Sequence, residues 1–325
     1  MTAAADRPTV SFELFPPRTE AAAERLWTTV RALESVRPDF VSVTYGASGS
    51  TRSTTRELVS RLIRETNLTP IAHLTCVGTS RTEVEQIVTD FLDEGVRSFL
   101  ALRGDPPAGQ ADWQEHPDGL GTASDLVALL RKIEARRGAT SLAHRVRATV
   151  KPLSIAVAAF PRGNVGVGST RAQDIAALLD KQAAGADFAI TQLFYDAESY
   201  LELVAEAKQA GVTIPIVPGI IPTTEPERLL RVQEISGIPV PAELLELLGS
   251  ADSPAEQHRR GIRASVDLVR RVIDGGAPGI HIYTFNTYHA ALDLLEGANL
   301  GGGAPTAPNL ASRPQVSAPV TAATE

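Results

Sequence analysis

Short apolar segments recur eight times along the chain, and longer amphipathic segments separate them. The short segments are mostly apolar and often rich in β-branched residues. Such runs are typical of strands that are buried on both faces of a parallel sheet. We therefore predict strands at Val10–Phe15, Phe40–Tyr45, Pro70–Cys76, Ser98–Leu102, Leu153–Phe160, Phe188–Leu193, Ile214–Ile220 and Gly279–Tyr283.

The segments between these strands carry apolar residues at helical spacing. In the first of them, Leu26, Val30 and Leu33 fall on one helical face. The predicted helices are Glu20–Val36, Thr54–Glu65, Arg81–Glu94, Ala123–Glu134, Arg171–Ala184, Ala197–Gln209, Glu243–Leu248 and Pro254–Ile273. The residues suited to cap the N-terminus of a helix are Ser53, Ser80, Thr170 and Ser253.

Strands that alternate with helices imply βα units and a parallel sheet. Eight such units, joined by right-handed connections, favour an α/β fold of the (β/α)8 TIM-barrel type over a doubly wound open sheet, which is the alternative. We assign residues 1–300 to the barrel, with a surface insert at Arg136–Pro152. The segment 301–325 is rich in Gly, Pro, Ala, Ser and Thr, so we predict a disordered tail.

Composition narrows the classes of function. The formal net charge of −7 argues against nonspecific nucleic-acid binding, which needs a basic surface. A single cysteine, Cys76, excludes a disulfide framework and a multi-cysteine zinc site within one chain, and we predict no metal site. The absence of a long uncharged apolar run predicts no membrane partner, and Met1–Pro8 lacks a signal-peptide core. We expect a cytoplasmic enzyme; the sequence leaves a homo-oligomer open.

Polar residues collect where the predicted strands end. The residues at these ends are Glu13, Thr44, Tyr45, His73, Thr75, Arg103, Gly104, Asp105, Gln192, Gly219 and Tyr283. In an α/β barrel the carboxyl ends of the strands form one rim, and the active site lies there. The pattern therefore predicts an active site built from these side chains.

Each of the most polar candidates also has a structural explanation. Glu13 could be a buried carboxylate that pairs with an arginine, although a charge inside an apolar strand favours a functional role. His73 could be a core histidine, and Asp105 could be a turn residue before two prolines. Gln192 could be an amide that fills a barrel layer. The residues alone leave these alternatives open.

A set of short motifs resembles the methylenetetrahydrofolate reductase family over a region from about Val10 to Leu295. In chain order they are Ser11–Pro17 (SFELFPP), Phe40–Ala47 (FVSVTYGA), His73–Cys76 (HLTC), Ala101–Asp105 (ALRGD), Ala123–Leu126 (ASDL), Ile190–Phe194 (ITQLF), Pro218–Ile220 (PGI) and His281–Thr284 (HIYT). Each motif is short, but their number and their order make the resemblance specific.

The resemblance implies a barrel that binds FAD at its rim. It implies that NADH or NADPH reduces the flavin, which passes hydride to 5,10-methylenetetrahydrofolate and yields 5-methyltetrahydrofolate. Glu13 would be the general acid, with Asp105 and Gln192 as further catalytic residues, and Tyr283 would join these three in binding the folate substrate. The positions that would line the cofactor are Thr44, Tyr45, His73, Arg103, Gly104, Asp105, Ala123, Phe160, Asp174 and Lys181.

Three departures from the family pattern open a second hypothesis. The stretch Phe160–Gly166 (FPRGNVG) lacks a glutamate and a histidine that the family usually carries, although Arg162 could restore positive charge. Asp180 stands where arginine is frequent, and Thr287 where some members have a basic residue. Direct hydride transfer from NADH, with flavin weak or absent, is therefore an alternative. A non-catalytic folate or flavin sensor is a third reading. A zinc-dependent methyltransferase is disfavoured because there is one cysteine.

Overall fold

The computed structural model describes residues 7–44, 52–105, 116–140, 146 and 152–301. Its strands are parallel and follow one another around a single sheet. They are β1 (Thr9–Leu14), β2 (Phe40–Val43), β3 (Pro70–Thr75), β4 (Ser98–Leu102), β5 (Ser154–Ala159), β6 (Phe188–Thr191), β7 (Ile216–Val217), β8 (Gly219–Ile220) and β9 (Gly279–Tyr283). All eight predicted strand positions are confirmed, and the seventh is divided into β7 and β8.

Pro218 divides the seventh strand, and the division closes the barrel. Ile216 and Val217 pair with β6, whereas Gly219 and Ile220 pair with β9. Proline has no N–H to donate to a ladder, but the carbonyl of Pro218 accepts a hydrogen bond from the backbone N–H of His281 at 2.9 Å. The first half of the segment 216–220 therefore pairs with β6 and the second half pairs with β9, which closes the ring of strands. The TIM-barrel prediction is confirmed.

Helices surround the barrel within the described residues. They are α1 (Glu20–Ser35), α2 (Arg52–Glu65), α3 (Arg81–Asp93), α4 (Ala123–Thr140), α5 (Arg171–Ala183), α6 (Ala197–Ala210), α7 (Pro226–Ser236), α8 (Ala242–Gly249), α9 (Pro254–Asp274) and α10 (His289–Ala298). None of them is both long and apolar enough to span a lipid bilayer.

The predicted helix caps are confirmed at three of four positions. Ser80 and Thr170 each form a capping box, and the Ser253 hydroxyl accepts a hydrogen bond from the backbone of Glu256. Ser53 is wrong as a cap, because α2 already begins at Arg52. The helices α7 and α10 are absent from the prediction. Neither has a side-chain N-cap, although Pro226 at the first position of α7 is a helix-start signal.

The barrel interior has an apolar arc and a polar arc. The apolar arc comprises Phe40, Ile71, Leu100, Ala156, Phe188, Ile190 and Val217. A separate, larger core packs between the strands and the helices and includes Phe12 and Leu14 of β1. Because successive strand residues point to opposite faces, Ser11 and Glu13 of β1 point into the barrel. Polar side chains of β1, β3 and β9 thus share one side of the interior.

The closure of the barrel can be tested at Gly219. A Cβ atom at this position would lie 2.3 Å from the carbonyl oxygen of Thr191 and 2.7 Å from the ring of Tyr283. We expect Gly219→Ala to lower the free energy of unfolding by about 1–3 kcal/mol, since neither backbone nor a packed ring can move cheaply. Chemical denaturation measures the change.

Gly249→Ala is the matched control, because a Cβ there meets nothing within 4 Å and Gly249 ends a helix. We expect this variant to be as stable as the parent protein or slightly more stable. Equal stability of the two alanine variants would contradict the close approach at Gly219.

Candidate active site

Glu13 occupies the penultimate position of β1, at the rim. Its register partners are Ser42 on β2 and Tyr283 on β9. Its backbone carbonyl accepts a hydrogen bond from the hydroxyl of Thr284 at 2.6 Å. The side chain is 21% exposed. The fold thus holds a carboxyl group at the open end of an otherwise closed interior.

An amide clamp fixes the chain just beyond Glu13. The side chain of Asn286 accepts a hydrogen bond from the backbone N–H of Phe15 at 3.0 Å and donates one to its carbonyl at 2.8 Å. Phe285 and Asn286 both adopt left-handed backbone conformations, with φ of 51° and 57°. Such conformations are unfavourable for a phenylalanine and are found at functional sites where surrounding structure enforces them. The clamp therefore ties the end of β1 to the end of β9.

The Glu13 carboxyl has no cationic partner among the described residues. The predicted alternative, an ion pair with an arginine, is therefore wrong for this part of the chain. Burial raises the pKa of Glu13 to about 8. His73 lies beside the carboxyl, with its Nε2 atom 3.7 Å from Oε2 of Glu13. Burial lowers the pKa of His73 to about 3, so the imidazole is neutral. At neutral pH the carboxyl keeps its proton and can serve as an acid.

A second histidine forms the polar layer below Glu13. The Nδ1 atom of His281 lies 2.9 Å from the hydroxyl of Ser11, and its Nε2 atom lies 3.3 Å from the hydroxyl of Ser42. Its ring stacks on Phe40 at 5.7 Å between centroids. Burial lowers the pKa of His281 to about 3. This satisfied, neutral layer was missed in the sequence; its signal was two serines at inward positions of neighbouring strands.

Tyr283 links the two sides of the rim. Its hydroxyl donates a hydrogen bond to the carbonyl of Thr191 at 2.7 Å, across the space that Gly219 leaves open. Burial, together with the nearby Glu13 carboxyl, raises the pKa of Tyr283 well above its ordinary value. The hydroxyl is therefore engaged within the protein, and the ring is the part of Tyr283 that a substrate could contact.

Gln192 and Asp105 differ in how the fold presents them. Gln192 follows β6 and is half-buried; its Oε1 accepts a hydrogen bond from the backbone N–H of Leu193 at 2.9 Å. That contact fixes the amide and leaves its NH2 group as a donor. Asp105 is exposed and, among the described residues, makes no hydrogen bond or ion pair with Glu13 or Gln192. The structure thus brings Glu13, His73 and Tyr283 together, whereas Asp105 is an exposed residue in the segment after β4.

The predicted cofactor positions near β2–β4 retain groups that could bind a nucleotide. Thr44 follows β2, and Ala123 is the first residue of α4, whose N-terminus can bind an anion. The Arg103 guanidinium donates to the carbonyl of Gly104 at 3.3 Å and has no carboxylate partner within the described part of the chain. The Arg103 guanidinium and the N-terminus of α4 would fit a phosphate-bearing cofactor. Tyr45 lies outside the described residues.

The predicted cofactor positions after β5 are engaged within the protein. The Asp174 carboxylate accepts hydrogen bonds from the backbone N–H of Asn164 at 2.7 Å and from the hydroxyl of Ser169 at 2.9 Å. Lys181, which is 9% exposed, donates to the carbonyl of Ala158 at 2.8 Å, and its ammonium lies 6.0 Å from the centre of the Phe160 ring. Burial lowers the pKa of Lys181 despite the nearby Asp174.

Arg162, which could restore positive charge after β5, is also engaged. Its guanidinium forms an ion pair with Asp196, and its Nε donates to the hydroxyl of Ser199 at 2.8 Å. A glycine at 163 with φ of 88° lets the following loop fold tightly against Ser169. On this side of the rim the polar groups therefore stabilise the loop itself.

The chain is similar to known proteins of one family. A family model described as methylenetetrahydrofolate reductase matches residues 1–299. The 5,10-methylenetetrahydrofolate reductase of Escherichia coli (strain K12) is 34% identical over 278 residues, which cover 85% of this chain and 86% of that protein. The probable methylenetetrahydrofolate reductase (NADH) of Oryza sativa subsp. japonica is 33% identical over 309 residues, covering 92% of this chain and 49% of the rice protein.

A solved structure resembles the fold at low identity. An uncharacterized protein from Clostridium thermocellum, which binds two copies of 5-methyl-5,6,7,8-tetrahydrofolic acid, aligns with a TM-score of 0.57. The two sequences are 14% identical, and the alignment covers 90% of this chain and 94% of that one. This likeness supports the barrel architecture.

The burial of Glu13 has a consequence for stability that can be measured. The unfolded chain ionises Glu13 near pH 4.5, whereas the folded protein retains the proton until about pH 8. The ionisation of Glu13 therefore lowers the free energy of unfolding as pH rises from 4.5 to 8. The loss is at most about 1.4 kcal/mol for each unit by which the folded and unfolded pKa values differ. We expect Glu13→Gln to stabilise the protein more at pH 8 than at pH 5, by about 2–4 kcal/mol.

Glu243→Gln is the control, because Glu243 is an exposed residue of α8. Denaturant unfolding at both pH values compares the two variants with the parent protein. A Glu13→Gln effect that is the same at pH 5 and pH 8 would contradict the assigned burial of the carboxyl.

Proposed function

Because the chain belongs to the methylenetetrahydrofolate reductase family, we propose that it reduces 5,10-methylenetetrahydrofolate to 5-methyltetrahydrofolate with electrons from NADH or NADPH. The observation that carries this proposal is Glu13, a half-buried carboxyl group at the rim with a pKa near 8 and no cationic partner among the described residues. The rice relative is named for NADH, which favours NADH over NADPH.

Glu13 supplies the acid that the reaction needs. The methylene carbon of the substrate is held between two nitrogens, and one C–N bond must break to give an iminium that can accept hydride. A neutral amine leaves far more readily than an amide-like anion, so the leaving nitrogen must gain a proton. Glu13 holds a proton at neutral pH and lies where the strands open to solvent, so it can transfer that proton once the substrate excludes water.

Three further residues would bind and orient the folate. The free NH2 group of Gln192 would donate to an acceptor of the pterin ring, since its Oε1 is already held by Leu193. The ring of Tyr283 would contact the pterin face. Asp105, which is exposed at the end of the described segment 52–105, would reach the pterin from the opposite part of the rim. All three remain proposals from the family resemblance.

Flavin binding would rest on the groups near β2–β4. When bound, FAD would accept hydride from the nicotinamide and deliver it to the substrate carbon. Arg103 and the N-terminus of α4 at Ala123 would hold its phosphates, while Thr44, His73 and Gly104 would contact the rest of the cofactor. Phe160, Asp174 and Lys181 would support it from the end of β5: Asp174 holds the loop that follows, and Lys181 bonds to Ala158 of β5 and lies near the Phe160 ring.

Direct hydride transfer from nicotinamide to the folate is the second candidate function. The observation that favours it is the engagement of Asp174, Lys181 and Arg162 in contacts within the protein. A non-catalytic folate or flavin sensor is less well supported, because a binding protein gains nothing from a buried carboxyl that lowers its stability at neutral pH.

Replacement of the acid tests the proposed reaction. We expect Glu13→Gln to reduce kcat by about 10²–10⁴-fold, because general acid catalysis is lost while the shape of the side chain is kept. In the parent protein kcat should fall as pH rises above about 8, where Glu13 loses its proton. Both effects are measured as NADH oxidation that depends on added methylenetetrahydrofolate, with Glu243→Gln as the control. Full activity of Glu13→Gln would refute the assignment of Glu13 as the acid.

The absorption spectrum of the purified protein separates the two routes for hydride. We expect bound FAD, and we expect Arg103→Ala to weaken its binding by about 10–100-fold, the effect of losing a charge-assisted hydrogen bond. Flavin titration measures the dissociation constant. The purified protein could instead be colourless, fail to bind added FAD and still oxidise NADH when methylenetetrahydrofolate is present. That result would contradict the flavin route and favour direct hydride transfer.

A further inference from the structure

His73 presents an unpaired nitrogen to the acid. The residue lies on β3 and points into the barrel, with 6% of its surface exposed. Its Nε2 atom is buried and makes no hydrogen bond with the described residues. That atom lies 3.7 Å from Oε2 of Glu13, slightly beyond hydrogen-bond distance. A buried polar atom without a partner is costly, and in native structures it calls for an explanation.

The other buried groups around Glu13 already have partners. The Tyr283 hydroxyl on β9 donates to Thr191, and the two nitrogens of His281 face Ser11 and Ser42. After β4, the charged groups at the rim are Arg103 and Asp105, neither of which bonds to Glu13 within the described residues. Of the buried groups beside the carboxyl, His73 is thus the one with a free hydrogen-bonding position in the described part of the chain.

We propose that His73 is the positioning residue of the Glu13 acid, and that its Nε2–H donates to Oε2 of Glu13 when bound substrate closes the gap between them. The inference deepens the proposed function and rests on it. Hydrogen bonds between catalytic groups are often long without substrate and tighten in the complex, so 3.7 Å is compatible with this role. The contact assigns the two carboxyl oxygens: Oε2 accepts from His73, and Oε1 carries the proton toward the substrate.

In the proposed proton transfer, His73 stays neutral and contributes only a hydrogen bond. The proton moves from Oε1 to the leaving nitrogen of the substrate, and the electrons of the breaking C–N bond remain on that nitrogen. The substrate becomes an iminium cation, and Glu13 becomes a carboxylate. The Nε2–H of His73 then faces the negative charge as it forms, which stabilises the carboxylate without a second proton transfer. Burial keeps His73 neutral, since it lowers the pKa to about 3.

The alternative is that His73 only lines the cofactor. The two roles differ in the pH dependence of turnover, because a donor to the carboxylate lowers the pKa of the carboxyl and a cofactor contact does not. Loss of the donor should therefore move the basic limb of the kcat profile to higher pH. A cofactor contact should instead change the flavin dissociation constant and leave that limb in place.

Two pairs of variants carry the test. His73→Phe removes the donor and keeps the ring volume, and His73→Met is a second donor-free variant in case the first does not fold. His73→Gln places an amide N–H at about the reach of Nε2. His258→Gln is the control, since His258 is a surface residue paired with Asp293. The kcat is measured from pH 6 to 10 with saturating NADH and methylenetetrahydrofolate and added FAD.

We expect the donor-free variants to lose about 10–100-fold in kcat and to shift the basic limb upward by about one pH unit, with little change in KM. His73→Gln should restore most of the rate and return the limb toward its original position. His258→Gln should match the parent protein. If the basic limb of the kcat profile does not shift in the donor-free variants, the inference is overturned, whether or not flavin binding changes. The proposed function would remain intact in that case. If the parent protein fails to reduce methylenetetrahydrofolate, the proposed function falls and the inference falls with it.

Discussion

The burial of one carboxyl group without a cation beside it is the constraint on which the site depends. Water stabilises a carboxylate strongly, so a protein that removes that water without supplying a counter-charge stabilises the protonated form instead. Glu13 is in this situation, and its pKa lies near 8 as a result. The protonated carboxyl lowers stability at neutral pH, and in the proposed reaction it would supply a proton to the substrate.

The fold maintains that burial through contacts far apart in the sequence. Thr284 and Asn286 hold the end of β1 against the end of β9, and the divided strand at 216–220 closes the barrel beside them. Below Glu13, the layer of His281 with its two serines is neutral and fully partnered. Among the described residues, this layer therefore brings no positive charge near the carboxyl. A ligand can approach Glu13 from the rim.

The two sides of the rim differ in what they can offer a ligand. Near β2–β4, the Arg103 guanidinium bonds to the Gly104 carbonyl and has no carboxylate partner among the described residues, so it retains donors for a ligand. After β5, the carboxylate of Asp174 stabilises a loop, while the ammonium of Lys181 bonds to the carbonyl of Ala158 on β5 itself. A cofactor held mainly from one side would depend strongly on few contacts, so cofactor affinity should be sensitive to single substitutions near β4.

Much of this could be predicted from the sequence, because short apolar strands and the positions of their ends are local patterns. The predicted strand ends place Glu13, His73 and Tyr283 at the rim for that reason. The alternation of strands and helices predicts the barrel. The helices α7 and α10 were missed because they lack N-terminal caps, and the break at Pro218 was missed because its consequence lies in pairing with β9. The partners of Asp174 depend on three-dimensional proximity, which neither motif nor periodicity encodes, and the layer around His281 is signalled only by the inward serines Ser11 and Ser42.

The ionisation of Glu13 itself is the most direct measure of this account. Infrared difference spectra recorded against pH can follow the carbonyl stretch of its protonated carboxyl, which is identified by its absence from the Glu13→Gln protein. The account predicts that this band persists at pH 7 and disappears with a midpoint near pH 8. A midpoint near 4.5, the ordinary value for a glutamate, would show that the carboxyl is hydrated or paired, and would contradict its role as a stored acid.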